Sequence, residues 1–136
     1  MEIAFHMSLP CLSVRETRRF YANLGASFGR STESWVDVNF YGHQITFIHA
    51  EKFNFSSPNY VFEGKILPAF HFGIILDRTT WQTILNTLVE QQLELVTETS
   101  FLTDQVGEHQ SFFVKDPNDY MLEFKCFKNS NDIFSS

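Results

Sequence analysis

The chain has only two cysteines in 136 residues, Cys11 and Cys126. That is too few for a disulfide framework, so a reducing, cytoplasmic setting is expected. It has no excess of positive charge: ten Lys and Arg stand against sixteen Asp and Glu, a formal net charge of −6. Nucleic-acid binding needs a Lys/Arg stripe to meet phosphates, so nucleic acid is not an expected partner. Arg15, Arg18 and Arg19, the one basic cluster, fall on an amphipathic segment and read as a solvated helix face. No run approaches the ~18 apolar residues that cross a bilayer. The opening Met1-Glu2-Ile3-Ala4-Phe5-His6 lacks a charged segment followed by a long apolar one. Neither a membrane partner nor a secretory leader is therefore expected. Phenylalanine, by contrast, is plentiful: sixteen residues imply a core or pocket rich in flat aromatic surface. A length of 136 residues suits a single domain with a real core.

Two stretches enter a helix from an apolar strand that carries a histidine. The first, Ile3-Ala4-Phe5-His6-Met7-Ser8-Leu9, leads into Ser13-Val14-Arg15-Glu16, a capping box. Val14, Thr17, Phe20, Tyr21 and Leu24 then recur at helical spacing until Gly25 stops the helix. Strands are expected near 26–29, 35–40 and 44–49, with Tyr41-Gly42-His43 turning between the last two. The second stretch, Ala69-Phe70-His71-Phe72-Gly73-Ile74-Ile75-Leu76, leads to Asp77 as a helix cap. Trp81, Ile84, Leu85 and Leu88 follow the i, i+3, i+4, i+7 rule, and strands are expected near 93–98, 110–115 and 120–127. Asp116-Pro117-Asn118-Asp119 supplies the turn before the last strand. The order β-α-β-β-β occurs twice. The expectation is one α+β domain over 1–128, with modules at 1–50 and 69–128 and a linker at 51–68. Within it Tyr60-Val61-Phe62 is the candidate for local structure, and the aromatics Phe53, Phe55, Tyr60 and Phe62 would pack on the body of the protein or cover a pocket. Residues 129–136 read as a polar, frayed tail.

His6 and His71 occupy matched places in this repeat, and Glu123 lies in the largely apolar closing strand 120–127. Imidazole and carboxylate suit Fe(II), Mn(II), Ni(II) or Zn(II), and two His with one carboxylate on one face of a metal leave positions open. Each residue alone is a common strand residue. Their joint occurrence in a duplicated unit points to a metal site formed by two similar halves, and hence to an enzyme.

These residues resemble the vicinal oxygen chelate superfamily, which includes glyoxalase I, extradiol dioxygenases, fosfomycin-resistance proteins and bleomycin-binding proteins. The resemblance covers about residues 3 to 127. It rests on Arg19-Phe20-Tyr21-Ala22-Asn23-Leu24-Gly25, similar to an "FY…LG" helix end. It rests also on Phe112-Phe113-Val114-Lys115-Asp116-Pro117-Asn118-Asp119-Tyr120-Met121-Leu122-Glu123-Phe124, similar to an "F-x-D-P-x-G-x-x-x-E" pattern. Val114 replaces the leading phenylalanine, and Asp119 stands where glycine is usual, a position that tolerates Asp in a left-handed turn. Phe40-Tyr41-Gly42-His43-Gln44, Pro68-Ala69-Phe70-His71-Phe72-Gly73 and Leu122-Glu123-Phe124-Lys125 look most like small proteins predicted to be extradiol-type dioxygenases.

The resemblance implies paired βαβββ modules forming a curved mixed sheet with a metal cup. His6, His71 and Glu123 stand where the superfamily places ligands, and Fe(II) is the first choice of metal, before Mn, Ni or Zn. Glyoxalase I takes a fourth ligand, usually Glu, from the last strand of the first module. Here Thr46 takes that slot in the favoured register, and a one-residue slip would present His49 instead. The missing carboxylate favours an extradiol-type dioxygenase acting on a small substrate with vicinal oxygens. A glyoxalase-type lyase and a metal-free binding protein of the bleomycin-resistance type are the alternatives, and a homodimer is compatible with each. Phe113 stands where such dioxygenases carry a tyrosine. His109, four residues earlier and on the same face, is the candidate general base.

Overall fold

Ser13 opens the first helix as its capping box requires, its hydroxyl accepting from the Glu16 N–H at 3.1 Å. Helix α1 runs Val14–Asn23 and buries Thr17, Phe20 and Tyr21. Gly25 then takes φ +89°, a left-handed conformation that side chains other than glycine's rarely adopt. Asp77 caps α2, Arg78–Glu90, by accepting from the Thr80 N–H at 2.7 Å, and α2 buries Trp81, Ile84, Leu85 and Leu88.

The computed structural model describes residues 1–136. They divide into two compact units, Met1–Phe55 with Asp116–Asp119, and Ser56–Lys115 with Tyr120–Ser136. The first unit holds β1 (His6–Cys11), β2 (Ser27–Ser31), β3 (Trp35–Phe40) and β4 (His43–His49). They form one sheet ordered β1-β4-β3-β2, in which only the β1–β4 pair is parallel. The second unit holds the hairpin β5 (Asn59–Phe62) and β6 (Lys65–Pro68). It also holds β7 (Phe72–Ile75), β8 (Thr97–Phe101), β9 (His109–Lys115) and β10 (Met121–Phe127). These last four form a sheet ordered β7-β10-β9-β8, again with one parallel pair, β7–β10. Each unit has the βαβββ order, and the class is α+β.

Side chains alternate across each sheet, so one face packs on the helix and the other faces away from it, in the second unit partly covered by the β5–β6 hairpin. In the first unit Val36, Val38, Phe40, Ile45 and Phe47 are buried, and the Tyr21 ring packs 5.0 Å from Phe47 and 5.9 Å from Phe40. In the second, Phe112, Leu122 and Phe124 are buried, and the Trp81 indole donates to the Phe124 carbonyl at 2.8 Å. The Asp116–Asp119 turn is tied into the first unit. Asp116 Oδ2 accepts from the Tyr21 hydroxyl at 3.0 Å, and Asn118 Oδ1 accepts from the Leu12 N–H at 2.8 Å. Asp119 takes φ +68°, the left-handed turn its side chain tolerates.

Three stretches differ from the sequence expectation. The strand expected at 93–98 starts later, as Thr97–Phe101. Gln92 takes φ +58° and the Leu93 N–H returns to the Leu88 carbonyl, so the helix exit uses up these residues. Residues 51–68, read as a linker, contain the β5–β6 hairpin. Its turn is Glu63-Gly64, both at positive φ as a two-residue hairpin loop requires, but Glu-Gly is a weaker signal than Asn-Gly. Within 129–136, residues Ser130–Asp132 form a short 3-10 turn.

Candidate functional site

Residues sharing a face of the second sheet follow from its register. Glu123 pairs with Phe113 on one side and Gly73 on the other, which places Ser111, Phe113, Glu123, Lys125 and Gly73 on one surface. His71 lies just before β7, two residues from Gly73. His71 Nδ1 lies 2.9 Å from the Pro68 carbonyl, an acceptor that requires Nδ1 to carry the proton. Nε2 lies 3.1 Å from Glu123 Oε1. The carboxylate's other oxygen, Oε2, accepts from the buried Ser111 hydroxyl at 2.7 Å, and Lys125 Nζ stands 3.9 Å from Oε1.

Electrostatics reinforce this pairing. The bond to Glu123 raises the His71 pKa above the usual imidazole value, against the opposing effect of burial. Burial pushes Glu123 upward, but the bonds from His71 and Ser111 and the charge of Lys125 outweigh it and leave the carboxyl below its usual value. A depression of about 260 Å³ opens beside the pair, lined by His71, Gly73, Ile75, Glu123 and Lys125. A Cβ at Gly73 would collide with the Glu123 backbone, so glycine is required for the strands to approach here.

Two aromatic rings bracket the imidazole. Phe113 meets it edge-on at 5.9 Å, and Tyr60 lies nearly parallel to it at 6.1 Å. Tyr60 arrives on β5, and the hairpin is anchored where Leu67 packs with Phe101, Phe113 and Met121, with Phe62 against that cluster. Burial and the nearby Glu123 charge raise the Tyr60 pKa, so its hydroxyl keeps its proton at neutral pH. Tyr60 is one of the linker aromatics named from the sequence, and only the tertiary packing of the hairpin brings it beside His71. Ser111 was legible in principle, as a small polar residue directly before the apolar run Phe112-Phe113-Val114 and on the same strand face as Phe113.

His6 lies at the start of β1 in the first unit. Its register, His6 with Gln44 and Ser8 with Thr46, puts His6, Thr46 and Asp37 on the face away from α1. His49 pairs with Cys11 and belongs to the other face. Thr46 rather than His49 thus shares the face of His6, which is the register favoured from the sequence. Asp37, unremarked in the sequence, is buried beside it and accepts from the Thr46 hydroxyl at 2.8 Å. The alternation Val36, Val38, Phe40 against Trp35, Asp37, Asn39 carried that signal.

His109 shares the face of Glu123 but pairs with Phe127, four residues along β10, roughly 13 Å from Glu123 at the usual strand rise. It is buried between the rings of Phe101 at 5.3 Å and Phe127 at 5.0 Å, with Nδ1 2.8 Å from the Gly107 carbonyl. Within the second unit, then, His71 and Glu123 come together and His109 stands apart. Within neither unit do three His, Cys, Asp or Glu side chains gather as a complete metal cage. Both cysteines are buried, and burial pushes the Cys11 thiol up, so it stays protonated and is a poor nucleophile.

No family model matches the chain, and no curated protein matches its sequence. Solved structures do match. A glyoxalase/bleomycin resistance protein/dioxygenase from Alicyclobacillus acidocaldarius aligns at TM-score 0.81 and 21% identity, over 97% of this chain and 96% of that one. The fosfomycin resistance protein FosX of Listeria monocytogenes aligns at TM-score 0.73 and 12% identity, over 100% and 99%. A lactoylglutathione lyase from Agrobacterium tumefaciens aligns at TM-score 0.68 and 10% identity, over 100% and 98%. The chain has the glyoxalase/bleomycin resistance/dioxygenase fold, the fold of the vicinal oxygen chelate superfamily.

Proposed function

We propose that the chain is a metal-dependent enzyme of the vicinal oxygen chelate type, an Fe(II) extradiol-type dioxygenase acting on a small substrate with vicinal oxygens. The observation that carries this reading is the His71 Nε2–Glu123 Oε1 pair at 3.1 Å. With the proton on Nδ1, directed at Pro68, the Nε2 lone pair is available to a cation. Glu123, held by Ser111, supplies the negative charge beside it. A neutral imidazole and a carboxylate oriented by their own partners fit a divalent metal, with His6 as the third ligand expected from the repeat. When bound, the metal would act as a Lewis acid that lowers the pKa of a chelating hydroxyl.

The surrounding side chains have roles of their own. Phe113 and Tyr60 hold the imidazole plane between them, and the Tyr60 hydroxyl keeps a proton to donate to a substrate oxygen. Lys125 offsets the charge of Glu123. A small substrate at His71 does not reach His109, so His109 serves packing in this reading, and proton transfer falls to groups nearer the pair. Thr46 brings no carboxylate and its hydroxyl is committed to Asp37, which favours three protein ligands over the four of a glyoxalase-type lyase.

The test is metal analysis of anaerobically purified protein, followed by oxygen uptake with catechol-type substrates. Stoichiometric Fe, lost in His71→Ala, with oxygen uptake only in the iron-loaded form, is expected. Protein that takes up no divalent metal, and whose stability is unchanged in His71→Ala, would sink the reading.

A further inference from the structure

The edge of the first sheet carries an irregularity with a chemical consequence. Strand β2 pairs Phe28 with Val38 but Ser31 with Val36, so β2 contains one residue more than β3 between these pairs. In unbroken register Arg30 would face Val36 and point toward the apolar face under α1. The bulge at Gly29-Arg30 turns Arg30 to the opposite face, where Arg30 Nε donates to Asp37 Oδ2 at 3.3 Å. Asp37 is itself fixed, its Oδ1 accepting from Thr46. The side chain of Asp37 is 10% exposed and that of Arg30 81%, so the carboxylate lies beneath and the guanidinium faces outward.

A guanidinium presents two bidentate edges. Asp37 engages the Nε side, and the Nη1/Nη2 edge remains for a planar anion. A depression of about 370 Å³ lies there, lined by His6, Arg30, Trp35, Asp37, Gln44 and Thr46. The indole of Trp35 supplies a flat wall, and Gln44 and Thr46 supply polar atoms. His6 is two strands across and two residues along from Asp37, about 12 Å at ordinary strand spacing and rise, room for one aromatic ring with its substituents.

We propose that Arg30 is a specificity-determining anion anchor, and that the open face of the first sheet binds the carboxylate of a small, flat organic acid. The proposal rests on the metal-site reading in one respect: with His6 as a ligand in the same depression, the substrate class becomes an aromatic acid bearing both vicinal oxygens and a carboxylate. The carboxylate pairs with the free guanidinium edge, the ring lies on Trp35, and the bulge with Asp37 holds the arginine in place.

Binding of benzoate and of its neutral analogue benzamide to the metal-free protein tests the anchor without any metal. The Arg30 Nε–H and Trp35 indole N–H resonances are followed by NMR. Benzoate should bind saturably and at least about tenfold tighter than benzamide, the scale of a charge-assisted bond. Arg30→Gln should abolish that preference, whereas Arg30→Lys, a point charge without the fork, should keep part of it. Arg30→Gln should stay folded by circular dichroism, with a modest drop in thermal midpoint from the lost Asp37 partner, which Arg30→Lys recovers in part. Equal affinity for the two probes, a benzoate preference that survives in Arg30→Gln, or no saturable binding would each overturn the proposal. Metal content of the same samples judges the other reading separately, so the failure of one is distinguishable from the failure of the other.

Discussion

His71 and Glu123 each titrate away from their ordinary values, in opposite directions. A raised His71 pKa contributes stability that is full below the unfolded value of 6.5 and is lost as pH rises through the folded one. A lowered Glu123 pKa contributes stability that is full above 4.5 and is lost as pH falls through the folded one. Between these two pH values the metal-free protein holds the pair most firmly. Glu123→Gln should return the His71 titration, read by NMR, toward the ordinary imidazole range. Because a cation must displace the proton on Nε2, metal affinity should rise with pH through the His71 titration. Asp116 carries a different kind of weight: it is buried and accepts from Tyr21 Oη, the Asn118 N–H and Asn118 Nδ2. Asp116→Ala should cost roughly 2–4 kcal/mol in chemical denaturation, since buried donors left unpaired cost about 1–3 kcal/mol each.

Strand pairing gives Gly73 its constraint. Gly73→Ala places a Cβ against the Glu123 backbone, which has no flexible end to move aside. The expected cost is about 1–3 kcal/mol, as for other overpacked positions, with separation of β7 from β10 and weaker metal uptake. Denaturant titration and metal binding measure the two effects. Both helices were legible because their signals are local: Ser13 and Asp77 cap where the sequence indicated, and the apolar residues repeat at helical spacing. The β5–β6 hairpin was legible only as local structure around 60–62, because Val61 and Ile66 face solvent and Glu-Gly is a weak turn signal, so nothing marked its second strand. What holds it is Leu67 against Phe101, Phe113 and Met121, residues far along the chain.

The βαβββ order recurs in both units, and the two sheets have matching registers. Ser8 opposite Thr46 corresponds to Gly73 opposite Glu123, so threonine and glutamate hold equivalent positions. The net charge of −6 favours cation uptake over anion uptake in general, which makes the outward Arg30 notable as a fixed positive point. A divalent metal that binds only the folded chain should stabilise it by about 2.7 kcal/mol at one hundred times its dissociation constant. Thermal midpoints measured across a Mn(II) series should rise accordingly in the wild type and stay level in His71→Ala.

The sequence by itself determined the βαβββ order that recurs in the two units and the two helix caps, and it supplied the residue types on which the metal-site proposal rests. These depend on near-neighbour spacing and on recurring local patterns. Only the tertiary structure decided that Thr46 rather than His49 shares the face of His6, because register depends on the partner strand. Likewise it decided that Tyr60 flanks His71, that a bulge turns Arg30 toward Asp37, and that His109 lies between Phe101 and Phe127. Each of these is a contact between residues separated along the chain, selected by packing and hydrogen bonding that no short window of sequence contains.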